Sequence, residues 1–406
     1  MGSSAADLDP FEAVASEAVP ATRRLAAIAC ASFLLIGWAG LLVPGLFRSV
    51  KAEFAQTDGG LGVFYFVGAV FYAAGSFGGG LVTERVGRRF VLAGAALLIG
   101  LGLAIQATAP SWEVFLLAAA PIGVGSGVID GGMNGLILDL FKRRPGGALN
   151  LLHLFFSLGA ASSPIIVGQL IGAGIDWRPI VLGTGLAAIV IGGLLASQVM
   201  PSGRRDTPHA LAAARTDLRR PIVPLIALAL AIGFYVSSEI GVSSWLVRFL
   251  ESASNDVATA TLGAFWGGLA LGRLAASRVA DRFRPVRFAT ACALGAAIAL
   301  LGAIAVPWLP VSIALFVLSG FAFGPVFPMI VTIGGALYPH RLAAVTGGLT
   351  GSAVVGGIIY PPVMGFISDG AGIGVAMFGA GLLAFACAGA LVAASLSARR
   401  MLRATA

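Results

Sequence analysis

Apolar residues along this chain come in long, almost unbroken runs. They lack both the strict alternation of a half-buried strand and the narrow stripe of an amphipathic surface helix. Twelve runs can be marked, at about 25–47, 60–82, 90–108, 113–138, 147–171, 177–199, 221–247, 259–280, 286–306, 310–337, 342–367 and 373–396. Each is near the ~20 residues that an α-helix needs to cross a hydrocarbon core. Short charged turns separate them, and the longest hydrophilic stretch between runs, 201–220, falls at the centre. The pattern predicts an all-α polytopic membrane protein with twelve transmembrane helices arranged as two six-helix, pseudo-symmetric bundles. The bundles are expected at 23–200 and 221–398, joined by a linker at 201–220 and flanked by tails at 1–22 and 399–406.

Composition agrees. The chain is 58% hydrophobic and 11% charged, with a mean hydropathy of +0.95, against roughly 45–50% apolar and 25% charged in soluble domains. Its 57 glycines suit membrane helices, where small residues let backbones approach. A net charge of +8 raises the question of nucleic acid. The distribution of the charge answers it. With both termini cytoplasmic, every Lys and Arg falls on the inner side except Arg48, Lys51, Arg178, Arg248 and the intra-run Arg273. That is the positive-inside pattern. The implied partner is therefore a lipid bilayer, the cell (inner) membrane, and no nucleic acid. Residues 1–22 are polar and acidic, the reverse of a signal peptide's basic start, and are expected to be a cytoplasmic tail. Cys30, Cys292 and Cys387 all lie in apolar runs, which reads as buried packing and not as a disulfide framework or metal site. No metal and no cofactor are expected, and the chain is expected to be monomeric.

The halves repeat. An offset of 197 residues superposes Gly75 on Gly272, Glu84-Arg85 on Asp281-Arg282, Gly123 on Gly320, and Gly127 on Gly324. The same offset carries Gly159, Pro164 and Gly168 onto Gly356, Pro361 and Gly365.

Candidate chemistry centres on the fourth and fifth runs. Asp130 lies inside an apolar run, with Asn134 four residues on and so on the same helical face. Asn150 and His153 share a face of the next run. A carboxylate at that depth is tolerable only when hydrated, paired or protonated, so it commonly faces a polar cavity. Asp130 is the first proton-coupling candidate. Glu239, one turn after Tyr235, is the second, or else makes a helix–helix hydrogen bond. His153 can titrate or simply donate a hydrogen bond. Asn134 and Asn150 read as substrate contacts or as interhelical glue. Trp38, Phe156, Tyr235 and Trp266 read as walls for a substrate ring, or as anchors and packing. Arg273 has three readings: a snorkelling side chain, a partner for Asp130, or a substrate ligand. The runs hold no nucleophile–base pair, phosphate loop or metal-ligand cluster, and His209 and His340 stand alone in or near loops. An enzyme is not expected.

Gly80-Leu-Val-Thr-Glu84-Arg85-Val-Gly87-Arg88-Arg89 resembles the G-x-L-x-D-R-x-G-R-R signature of the major facilitator superfamily, with Glu84 in the usual Asp position. Ser277-Arg-Val-Ala-Asp281-Arg282 is a degenerate second copy. Gly127-Val-Ile-Asp130-Gly-Gly-Met-Asn134, the Asn150–His153–Phe156 run and Phe234-Tyr235-Val-Ser-Ser-Glu239 are similar to the fucose-permease-like branch of sugar:proton symporters. The fucose permease carries an acid in its first span, whereas residues 25–47 have none, so its proton route does not transfer whole. The resemblance implies a secondary transporter working by alternating access, proton-coupled, with a small polar, sugar-like substrate. The competing expectation is proton-driven efflux of amphipathic compounds. Glu84, Arg85, Gly87, Arg88, Arg89, Asp281 and Arg282 are then implied as a cytoplasmic gate, Arg85 and Arg88 being braced by acids of the same face, Glu84 or Asp281 among them.

Overall fold

The apolar runs fold as helices. The computed structural model describes residues 20–142, 145–201, 222–338 and 342–404. The linker and the N-terminal tail thus lie almost wholly outside the described residues, as do His209 and His340. In chain order the helices are α1 (Pro20–Gly45), α2 (Phe47–Glu53), α3 (Asp58–Val86), α4 (Arg88–Ala107), α5 (Trp112–Leu117), α6 (Ala119–Leu140), α7 (Pro145–Gly172) and α8 (Trp177–Ser197). After the linker come α9 (Val223–Phe249), α10 (Asn255–Val279), α11 (Pro285–Ala305), α12 (Leu309–Phe323), α13 (Val326–Leu337), α14 (Leu342–Ala371) and α15 (Ile373–Ala404). No strand occurs among the described residues.

Among the described residues, eleven helical stretches are long and apolar enough to cross a membrane, with α5–α6 and α12–α13 each counted as one. The remaining predicted span, 259–280, is the 25-residue helix α10. Asn255, Asp256, Arg273 and Arg278 dilute its hydropathy, and their positions explain why it stands apart from the others. Helix starts follow elementary rules. Proline occupies the first turn of α9, α11 and α12, where its missing N–H costs no bond. Asp176 caps α8 by accepting from the Arg178 backbone N–H at 2.8 Å.

The described chain groups into two compact units. One takes the residues up to Ser49 and from Val67 to the linker; the other takes Val50–Phe66 and everything after the linker. In the first unit α1 packs along α7, and α4 along α6 and α8. In the second, α9 lies against α14 and α15, α11 against α12 and α15, and α10 against α12.

The sequence repeat has a physical counterpart in the glycine seams. A Cβ on Gly75 would fall 2.2 Å from the Val124 carbonyl oxygen, one on Gly123 2.5 Å from Gly68 O, and one on Gly127 2.0 Å from Tyr72 O. The second unit repeats all three contacts at the same offset. Gly272 meets Phe321 O at 1.9 Å, Gly320 meets Phe265 O at 2.2 Å, and Gly324 meets Leu269 O at 2.5 Å. No side chain fits at these positions, so glycine sets how closely α3 meets α6 and α10 meets α12.

Candidate functional site

The seam between α3 and α6 assembles a polar group in the first unit. With Gly127 flush on the Tyr72 backbone, the Tyr72 ring reaches the next turn of α6. Its hydroxyl donates to Asp130 Oδ2 at 2.6 Å, the short range of a bond to a carboxylate. Asn134, one turn on, donates from Nδ2 to Asp130 Oδ1 at 3.1 Å and to the Asp130 backbone carbonyl at 3.0 Å. Asp130 is half-buried and accepts on both oxygens. The buried Asn134 Oδ1 has no hydrogen-bond partner among the described residues, which leaves an acceptor for a ligand hydroxyl.

The other candidates of this unit are spread more widely. Asn150 is exposed on α7. His153 meets the Phe33 ring edge-on, with centroids 5.3 Å apart. Phe156 is half-buried, and its carbonyl closes on Gly37 of α1. Trp38 donates from Nε1 to Thr184 Oγ1 at 3.1 Å. It lines a cavity of about 920 Å³ walled by α1, α7 and α8, where Cys30, Leu34 and Phe155 are apolar neighbours and Arg23 is the charged one.

In the second unit Glu239 is buried and Tyr235 wholly so, with Tyr235 set edge-on to Phe323 at 5.5 Å. Arg273 interacts electrostatically with both. None of its three sequence readings named this neighbour: the acid beside Arg273 is Glu239, not Asp130. The Tyr235 hydroxyl lies within reach of both Glu239 and Arg273, while Glu239 Oε1 has no hydrogen-bond partner among the described residues. Trp266 is buried on α10.

At the basic turn, Gly87 holds φ 92°, a left-handed conformation that glycine adopts at no steric cost. Arg88, at α4's first position, is buried and pairs through Nη2 with Asp139 Oδ2 at 2.7 Å. The expected braces, Glu84 and Asp281, have side chains outside the described residues. Among the described residues the carboxylate in contact is Asp139, at the end of α6. Arg89 lies over the Phe90 ring at 5.3 Å, while Arg85 and Arg282 are exposed.

Sequence reasoning missed Tyr72, Asp139 and the Arg273–Glu239 pairing. For Tyr72 a signal existed. Gly75 and Gly127 mark α3 and α6 as closely packed, and Tyr72 is the hydroxyl-bearing side chain one turn from Gly75.

Comparison with known proteins agrees with the fold. The family model described as Major Facilitator Superfamily matches residues 25–309 and 251–403. A glucose/galactose transporter of Brucella abortus biovar 1 is 27% identical over 365 residues, covering 83% of this chain and 84% of that protein. A gentisate transporter of Corynebacterium glutamicum is 25% identical over 377 residues, covering 85% and 81%. The crystal structure of the major facilitator transporter FucP, in an outward conformation, superposes with a TM-score of 0.63 at 21% identity, covering 92% of this chain and 98% of that one.

Proposed function

The chain belongs to the major facilitator superfamily, and we propose on that premise that it moves a small polar, sugar-like solute across the cell membrane by alternating access, coupled to protons. It is a membrane transporter and not an enzyme. One observation carries the coupling reading: a carboxylate within a membrane-length apolar helix, held by Tyr72 and Asn134. An acid so placed can accept a proton as its surroundings change, and ionise again when water returns. Glu239 with Arg273 is the second station, in the other unit. An arginine beside a buried carboxylate balances its charge, and a shift of either releases the other for a proton or a substrate hydroxyl.

The substrate class rests on two supports. One is the pair of unused hydrogen-bonding atoms, Asn134 Oδ1 and Glu239 Oε1, which suit a ligand rich in hydroxyls. The other is the relative named a glucose/galactose transporter. Asn150, His153, Phe156, Trp38 and Trp266 are proposed as further contacts, reached as the bundles move. The basic turns around Glu84–Arg89 and Asp281–Arg282 are proposed as the cytoplasmic gate, with both termini on that side. The apolar cavity beside Trp38 favours a second reading, efflux of amphipathic compounds. Uptake of radiolabelled hexoses into proteoliposomes under an imposed inward proton gradient tests the first. Gradient-dependent accumulation of a hexose supports it. Accumulation of amphipathic cations or drugs with no hexose flux supports the second.

A further inference from the structure

By repeat register residues 50–66 belong to the first half, yet they group with the second unit. Helix α3 is continuous from Asp58 to Val86, so its first nine residues side with one unit and the remainder with the other. What fastens the first part is a buried carboxylate with an unusually full set of partners. Asp58, 1% exposed, pairs with Lys51 through Oδ1. Its Oδ2 accepts from Arg248 Nε at 2.8 Å and from the Ser368 hydroxyl at 2.6 Å. Asp369 returns the contact. Its carboxylate accepts the backbone N–H of Asp58 at 3.0 Å and of Gly59 at 2.7 Å, capping the start of α3 as an acceptor at a helix N-terminus should. Below this cluster the seam continues. The Tyr65 hydroxyl donates to Ser244 O at 3.2 Å, and its ring stands edge-on to Trp245. The Trp245 indole donates in turn to Pro361 O at 2.8 Å. Gly62 lies against Pro362, and Gly365 against Asp58, too closely for any side chain.

Two features distinguish this from a permanent fixture. A seam meant never to open is best filled with apolar groups, because a buried ionic network contributes position more than net stability. More tellingly, each side of the cluster carries its own counter-ion. Lys51 lies on the same segment as Asp58, and Glu251 pairs with Arg248 three residues away. When Asp58 leaves Arg248, neither charge is left without a partner. By rise per residue, this cluster lies about 40 Å along α3 from the basic turn that follows it.

We propose that Asp58, Arg248, Ser368 and Asp369 form the latch of the gate at the end opposite the basic turns. Its bonds join the start of α3 to α9 and α14, and the latch opens when they part. The inference rests on the alternating-access reading above but not on the substrate. Its test uses the full chain in proteoliposomes, with Cys30, Cys292 and Cys387 replaced by Ser and a reporter placed at Ser244→Cys, which the seam buries. The rate of reaction with a membrane-impermeant maleimide is measured from the side opposite the basic turns, with no solute present. Arg248→Gln should raise the rate at least fivefold, and Ser368→Ala by a smaller factor. A second reporter, Asn150→Cys, should label more slowly from the other side in the same backgrounds. Mere loosening would speed both reporters, whereas a gate speeds one and slows the other. If Arg248→Gln fails to fold, Ser368→Ala decides. Unchanged rates at Ser244→Cys, or faster labelling at both positions, overturn the latch. If the reporters label as expected while the protein with Asn150 intact moves no hexose, the substrate reading alone is overturned.

Discussion

Removing either member of the Arg88–Asp139 pair should be costly in an asymmetric way. The pair spans 2.7 Å, with the arginine side chain 8% exposed and the aspartate 44% exposed. Because Asp139 is half in solvent, the attraction itself is modest, about 1 kcal/mol by comparison with exposed pairs. The asymmetry comes from burial. Arg88 Nη1 already has no hydrogen-bond partner among the described residues, so loss of Asp139 strands a buried guanidinium and should cost about 1–3 kcal/mol. Arg88→Met keeps the packing and leaves an aspartate that water can solvate, so it should cost about 1 kcal/mol or less. Combining Arg88→Met with Asp139→Ala should therefore be less damaging than Asp139→Ala alone. Equilibrium unfolding in detergent micelles, run as a double-mutant cycle, reads the coupling directly. Additivity within ~0.3 kcal/mol, or a double variant as unstable as the sum of the singles, would refute the assignment of Asp139 as the partner of Arg88.

Gly127→Ala places a methyl 2.0 Å from the Tyr72 carbonyl oxygen and should destabilise by about 1–3 kcal/mol or more. Gly78→Ala, with open space around its Cβ, should be neutral or stabilising by up to ~1 kcal/mol; melting temperatures of the two in one detergent check this, and equal effects would contradict the seam. Glu239→Gln should leave the protein folded and inserted, with a lowered melting temperature, while abolishing accumulation against a gradient, because the amide keeps the shape but cannot carry the charge that Arg273 balances; wild-type accumulation ratios would make Glu239 a packing residue. Asn134→Ala removes a donor to Asp130 and the unused acceptor Oδ1, so it should raise the substrate KM about 10-fold or more, the loss of one or two net hydrogen bonds; an unchanged KM would remove Asn134 from the site.

The fold was legible because the bilayer leaves the chain few options. Every backbone group within the apolar runs must be satisfied by helix, and run length alone then locates the spans. The repeat was legible for a related reason. A close helix crossing tolerates only glycine, so Gly75, Gly123 and Gly127 carry their counterparts at one offset, and the contacts they make recur atom for atom. Asp130 and Glu239 stood out because acids are rare in such runs. Their neighbours were less visible. Tyr72 is unremarkable in an aromatic-bearing helix until its distance from Asp130 is known, and Arg273 looked equally suited to the interface. Charges at helix ends were the least informative. Asp58, Lys51 and Arg248 read as ordinary loop charges, because nothing in the sequence says that residues 50–66 fold against α9 and α14. Asp139 was hidden for the same reason, lying among the polar residues that close a span.

The central claim is that Asp130 couples the solute to the proton. Its most direct test is Asp130→Asn in proteoliposomes loaded with labelled hexose, with exchange and gradient-driven accumulation measured on the same preparation. The amide can still accept from the Tyr72 hydroxyl, so folding and binding should persist. The account predicts that exchange continues near the wild-type rate while accumulation under an imposed pH difference falls to the equilibrium level. Accumulation above equilibrium in Asp130→Asn would contradict it and reduce Asp130 to a structural acid.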